Sequence, residues 1–291
     1  MISKAHVLSF FVMILLYAGV AIWKWTPSSV EYPQNSTSSS LNTDETIEAR
    51  FWDHYNQATE YRSQQLYREA SKEYSKALQL KSNHKDALYY AGSMHLMARE
   101  FEKANLKWNR LLQEEPNAPR TNLRLGTLHF CMDPKNQHFD LEKAYLYFSE
   151  AWKLNLEETG APLLLAKIHL LNNDPLPAEE LLSDILSVNS TNEEALFLMG
   201  FIKWRSGNIN DSRQFLSRSK NYLNQDTDKG HLGEGATKSG NAMLLQGRFC
   251  DGFEVTFNKL LQDSSESPAD EIYSDFKMKI LEWRDKFRIP D

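Results

Sequence analysis

DALYYAGSMHLMAREFEKANLKWNRLLQEEPN, residues Asp86 to Asn117, decides the fold. Leu88, Ala91, Gly92 and His95 recur at spacings of three and four, which places them on one face of a helix. Gly92 in mid-helix costs roughly 1 kcal/mol relative to Ala, so its use is to let a second helix approach closely. Phe101, Ala104, Trp108 and Leu111 mark one face of that second helix. Pro116 then closes it, because proline cannot continue a helix interior and drives the preceding residue out of the α region. The stretch reads as one αα-hairpin.

Stepping by 34 residues finds the pattern again. One step back, His54, Ala58, Tyr61, Ala70, Tyr74 and Ala77 fall in the same places. One step forward, Leu125, Gly126 and His129 match, and Ala144, Phe148 and Ala151 follow six residues late. CMDPKNQHFD therefore holds a lengthened turn. Later copies supply Leu165, Ala166, His169, Ala178 and Ile185, then Leu196, Met199, Gly200, Gly207 and Leu216. A sixth, poorer copy from about residue 233 offers Gly240, Gly247, Phe249 and Gly252, after a second six-residue insertion, DTDKGH.

These residues resemble the tetratricopeptide repeat, a helical hairpin of 34 residues with a Leu-Gly pair, an Ala-aromatic-Ala helix and a closing proline. The resemblance covers about Phe51 to Glu266. It implies an all-α solenoid of five to six hairpins, wound as a right-handed superhelix, with the first helix of each pair lining the concave side. It implies little about function, because repeat folds host many roles.

The remaining segments take their places around the repeats. Residues 1–25 form the expected membrane anchor: Val7 to Trp23 is apolar apart from Ser9 and Gly19, with Trp23, Lys24 and Trp25 at the interface. Three readings stay open here. One is a retained single-pass anchor, with the repeats on the periplasmic or extracytoplasmic side. The second is a signal peptide cleaved after Gly19-Val20-Ala21, and the third an anchor with the repeats in the cytoplasm. The apolar run continues past Ala21 to Ile22 and Trp23, which favours retention. Residues 26–45 are rich in serine and read as a disordered linker carrying the sequon Asn35-Ser36-Thr37. Thr43 or Asp44 is expected to cap the first helix. Residues 46–266 hold the repeats, and 267–291 a capping helix with Ser267 as N-cap, Pro268 at N1, and Ile272, Phe276, Ile280 and Trp283 on one face.

Composition and motifs narrow the function. Net charge is −6 with no polybasic block, which argues against nucleic acid and against attraction to anionic lipid. Cys131 and Cys250 fall in copies three and six, a separation that predicts two free, buried thiols. HExxH, CxxC and GxSxG are absent, so no catalytic, cofactor or metal site is expected. His95, His129 and His169 share one repeat position and point to a shared structural role. In GHLGEGATKSG, Ala236-Thr237 separate the glycine from Lys238-Ser239, so the phosphate-loop pattern fails.

The candidate site is the second apolar face of the first helices: Trp52, Tyr55, Tyr89, Phe130, Phe197, Phe201 and Trp204. Two readings compete. Neighbouring repeats fill this face, or it forms a groove for an apolar or amphipathic protein segment. The residues at the positions of the family's carboxylate clamp are Tyr55, Thr59, Ser93 and Thr127, which excludes that mode. The expected function is a membrane-anchored, non-catalytic scaffold for protein–protein interaction. The alternative is an accessory subunit of an assembly system such as cytochrome c maturation, holding a client protein.

Overall fold

The computed structural model describes residues 38–155, 160–228, 250, 252–263 and 268–290. The chain divides into two units, Met1–Ile47 and Glu48–Asp291. Twelve helices are found among the described residues, and no strand. Five hairpins come first: α1 (Ser38–Ser63) with α2 (Tyr67–Leu80), α3 (Lys85–Met97) with α4 (Phe101–Glu114), α5 (Pro119–Phe130) with α6 (Leu141–Leu154), α7 (Gly160–Leu171) with α8 (Pro175–Val188), and α9 (Glu193–Arg205) with α10 (Ile209–Asp228). Two further helices follow, α11 (Gly252–Asp263) and α12 (Ala269–Lys286).

The repeat is visible in the backbone. Left-handed residues follow the first helix of four hairpins: Gln65, Arg99, Asn173 and Gly207, with φ of 60°, 61°, 60° and 81°. Gln65 and Arg99 lie 34 residues apart, as do Asn173 and Gly207. Such a residue ends a helix by turning the chain back on itself. In the third hairpin the six-residue insertion replaces this turn. There Asn136 Nδ2 donates to the carbonyls of Leu128 and Cys131, at 2.8 and 3.0 Å, tying the longer loop to the end of α5.

Close packing within the second and third hairpins depends on glycine. A Cβ at Gly92 would lie 2.5 Å from Trp108 Nε1, and one at Gly126 would lie 2.4 Å from the Phe148 ring. At Gly200 the second helix offers Phe215 Cβ at 3.1 Å, and the ring that fills the gap is Tyr273 of α12, whose hydroxyl would be 2.1 Å from an added Cβ.

The histidines of the shared position act as staples. His95 Nδ1 donates to Glu100 at 2.7 Å, across the turn from α3 to α4. His129 Nδ1 donates to the His138 carbonyl at 2.7 Å, across the longer turn. His169 Nδ1 lies 3.6 Å from Asp174. Their backbone carbonyls accept from the amides of Glu100, Asp140 and Asp174. No group of three or more metal-capable side chains is found among the described residues.

Several expectations are corrected. Helix α1 begins at Ser38, inside the stretch read as linker and ahead of the expected caps Thr43 and Asp44. No proline or glycine follows Pro33 before Gly92, and serine, threonine and asparagine cost a helix only some tenths of a kcal/mol each, so nothing local stops it. Pro268, rather than Ser267, stands at the N-cap of α12. Cys131 and Cys250 are not free thiols but a disulfide, with Cα atoms 4.4 Å apart. The separation of three repeats assumed that the sixth copy stacks beyond the fifth. Instead α11 lies over the third to fifth hairpins: Phe253 packs on Phe130 of α5, and Phe257 on Phe197 of α9. Helix α12, about 27 Å long at 1.5 Å per residue, runs the opposite way, from the fifth hairpin back to the third. Asp270 at its start accepts from Trp204 Nε1 at 2.8 Å, and Phe287 just past its end meets Phe139 before α6. It therefore closes the fifth hairpin and also covers the face made by the first helices.

The anchor at Val7–Trp23, the sequon, the glycine-rich stretch and the first half of the sixth copy lie outside the described residues. Among those described, no helix is long and apolar enough to cross a membrane.

Candidate binding surface

The seven aromatic residues of the first-helix face fall into two groups. Phe130, Phe197 and Phe201 are buried, at 1%, 0% and 1% exposure. Neither neighbouring repeats alone nor an open groove accounts for this. The rings that cover them belong to α11 and α12: Phe276 lies 5.0 Å from Phe197 and 4.9 Å from Phe201, both edge-on, and Tyr273 lies 5.3 Å from Phe197. Trp204 is half-buried beside Tyr273. Offset and edge-on pairs of this kind add about 0.5–1.5 kcal/mol each to the burial itself. The same region explains Lys167, the lone charge on apolar α7. It is 2% exposed and its ammonium lies 2.6 Å from Glu194 of the next hairpin.

The second group, Trp52, Tyr55 and Tyr89, lies in the first two hairpins. Trp52 is exposed, at 41%, and donates to Glu48 at 2.6 Å. Its ring meets Phe51, Tyr55 and His84 within 6 Å. Burial, with Tyr74 nearby, pushes the Tyr55 hydroxyl up to about 12. Tyr89 is buried on one side and receives two arginines on the other. Arg124 Nε donates to its hydroxyl at 3.1 Å, and the Arg120 guanidinium stands 4.6 Å from its ring. Arg62 stands 4.0 Å from the Tyr90 ring. Tyr89 and Arg120 line an open groove of about 510 Å3 with Lys85, Asp86, Leu111 and Pro116.

The sequence singles out Tyr89 but gives no reason to group Arg62 or Arg120 with it. Their convergence was legible only in part: Arg120 and Arg124 are four apart on α5 and so share a face, but nothing in one dimension brings that face to Tyr89.

No family model matches the chain. The fold is similar to the crystal structure of MamA, at TM-score 0.51 and 15% identity, over 59% of this chain and 96% of that one. It is similar also to the solved structure of Pseudomonas aeruginosa pilF, at TM-score 0.52 and 16% identity, over 80% of this chain and 99% of that one. Both are tetratricopeptide-repeat proteins. The chain has the tetratricopeptide-repeat fold. A curated relative, the DnaJ homolog subfamily C member 7 homolog of Schizosaccharomyces pombe, is 25% identical over 227 residues, 70% of this chain. The chain spans about half of that relative's length, 47%. Tetratricopeptide hairpins account for α1 to α10, while α11 and α12 form the part that folds back over them.

Proposed function

We propose that this chain is a non-catalytic scaffold that holds a protein segment on the first-helix face of hairpins one to three. The observation that carries this is the Tyr89–Arg120–Arg124 cluster at the groove of about 510 Å3. Tyrosine, tryptophan and arginine are the side chains that dominate binding energy at protein interfaces, because each combines a large contact area with a directed polar group. Here two arginines are already oriented on one tyrosine, so little further ordering is needed when a partner arrives. Hairpins four and five support the surface rather than extend it, since the chain's own helices occupy their aromatic face. A single-pass N-terminal tether at Val7–Trp23, with the repeats on the extracytoplasmic side, belongs to the same proposal. Fractionation of the full chain under alkaline extraction tests that part.

The test of the surface is site-specific photocrosslinking in cells, with a photoreactive residue at position 120 in one variant and position 201 in another. A discrete partner captured from position 120 and lost when Tyr89→Ala is added supports the reading. Capture from position 201 alone would overturn it, because it would mean that α12 leaves and the later hairpins bind. A role in cytochrome c maturation draws no support from the matched proteins.

A further inference from the structure

A second groove, of about 500 Å3, runs between α2 and α4. Apart from His95 of α3 and Glu100, which precedes α4, its walls are the second helices of the first two hairpins. It is separate from the Tyr89 groove and shares no lining residue with it. Five cations line it: Arg68, Lys72 and Lys76 from α2, and Lys103 and Lys107 from α4. Glu100 is the one carboxylate in the lining. In a chain of net charge −6 this is a local reversal of sign.

Two of the cations are neutralised locally. Lys76 lies 2.7 Å from Glu73, and Lys103 lies 3.2 Å from Glu100. Arg68, Lys72 and Lys107 have no carboxylate partner among the described residues. Lys107 is half-buried, and burial together with the nearby Arg110 lowers its affinity for a proton. An anion in the groove would relieve that cost.

The spacing selects the kind of anion. Arg68, Lys72 and Lys76 are four apart and rise along α2 in steps of about 6 Å, and Lys103 and Lys107 repeat the step on α4. Side chains on one face of an extended peptide recur every ~6.6–6.8 Å. Carboxylates at alternate positions of such a peptide therefore meet successive cations on both walls. A nucleic-acid strand has charge at similar intervals, but it also needs aromatic faces on which bases stack. Besides the five cations and Glu100 the lining is serine, glutamine and Leu106, with His95 its only ring.

We infer that the α2–α4 groove binds an extended acidic peptide segment, with Arg68, Lys72 and Lys107 meeting its carboxylates. The site is independent of the Tyr89 surface, so one chain can hold two different segments.

The experiment is fluorescence anisotropy of a labelled twelve-residue alternating Glu-Ala peptide with the full chain in detergent. The peptide is expected to bind at low ionic strength and to weaken as salt rises. Lys72→Glu combined with Lys107→Glu should weaken it at least tenfold. Arg68→Gln with Lys72→Gln, two exposed positions whose loss leaves packing untouched, should weaken it several-fold. Tyr89→Ala should leave it unchanged. No binding at low salt, equal binding by both double variants, or equally tight binding of a single-stranded oligonucleotide that responds to the same variants would each overturn the inference.

Discussion

Removing the link between Cys131 and Cys250 tests whether the C-terminal helices fold back over the repeats. The perturbation is the double variant Cys131→Ala, Cys250→Ala, which also serves as a permanently reduced form. The two cysteines are 119 residues apart. In the chain-entropy treatment, a loop of that size contributes about 4.9 kcal/mol at 25 °C, and measured losses for native bridges run at about 2–5 kcal/mol. The bridge is not the only tie. Phe253, Phe257 and Leu261 of α11 are buried against the repeats, and each such side chain contributes roughly 1.5–3 kcal/mol. Helix α11 is therefore expected to stay in place without the bridge, with reduced protection. Three readouts follow. The wild-type protein, unfolded in denaturant without reductant, should present no titratable thiol. The double variant should lose about 2–5 kcal/mol in urea unfolding. Amide exchange in residues 252–263 should speed up while that in α3 and α4 changes little, because stability in stacked hairpins is local. Two titratable thiols in the unfolded, unreduced protein, together with an unchanged urea midpoint, would refute the fold-back and return α11 to the end of the stack.

Two further outcomes check the packing. Gly92→Ala gains about 1 kcal/mol of helix propensity. It also drives a methyl to 2.5 Å from the buried Trp108 ring and disturbs that ring's hydrogen bond to the Tyr89 carbonyl. Overpacking costs about 1–3 kcal/mol and the hydrogen bond about 1, so a net loss of ~1–3 kcal/mol is expected by thermal unfolding, and a stabilised variant would contradict the packing. Acid should destabilise the fold. Burial lowers the affinity of His95 for protons against the pull of Glu100, and does the same to His129 against its bond to the His138 carbonyl. The unfolded chain then binds more protons below the ordinary histidine value of 6.5, so stability is fully present above 6.5 and declines as pH falls through that value. Burial raises the Glu100 carboxyl, but bonds from His95 and Lys103 outweigh it and hold it below 4.5, which adds a second loss in stronger acid. Urea midpoints at pH 7.5, 6 and 4.5 measure this, and a midpoint that rises on acidification would sink it.

The reach of sequence reading here follows the range of the interactions. The hairpins were legible because every determinant is local. Gly92 and Trp108, the left-handed turns at Gln65 and Arg99, and the His95–Glu100 staple all lie within one repeat, and the period displays them again. The sequence alone therefore determined an all-helical stack, the two-helix unit and the place of the insertion after Phe130. It also determined which face of each first helix is aromatic. What covers that face was decided only by tertiary structure. Phe197 against Phe276, Phe130 against Phe253, and Cys131 bonded to Cys250 join residues 79 to 123 positions apart. A periodic pattern describes contacts between neighbours in the stack and contains no instruction for a helix that leaves it. Such a helix is placed by the apolar surface it can bury: the aromatic residues of α11 and α12 share one core with the chain's own first-helix face. The Tyr89 cluster divides in the same way. Tyrosine and arginine at helical spacing are written in the sequence, while their meeting at one groove depends on how α3 packs beside α5.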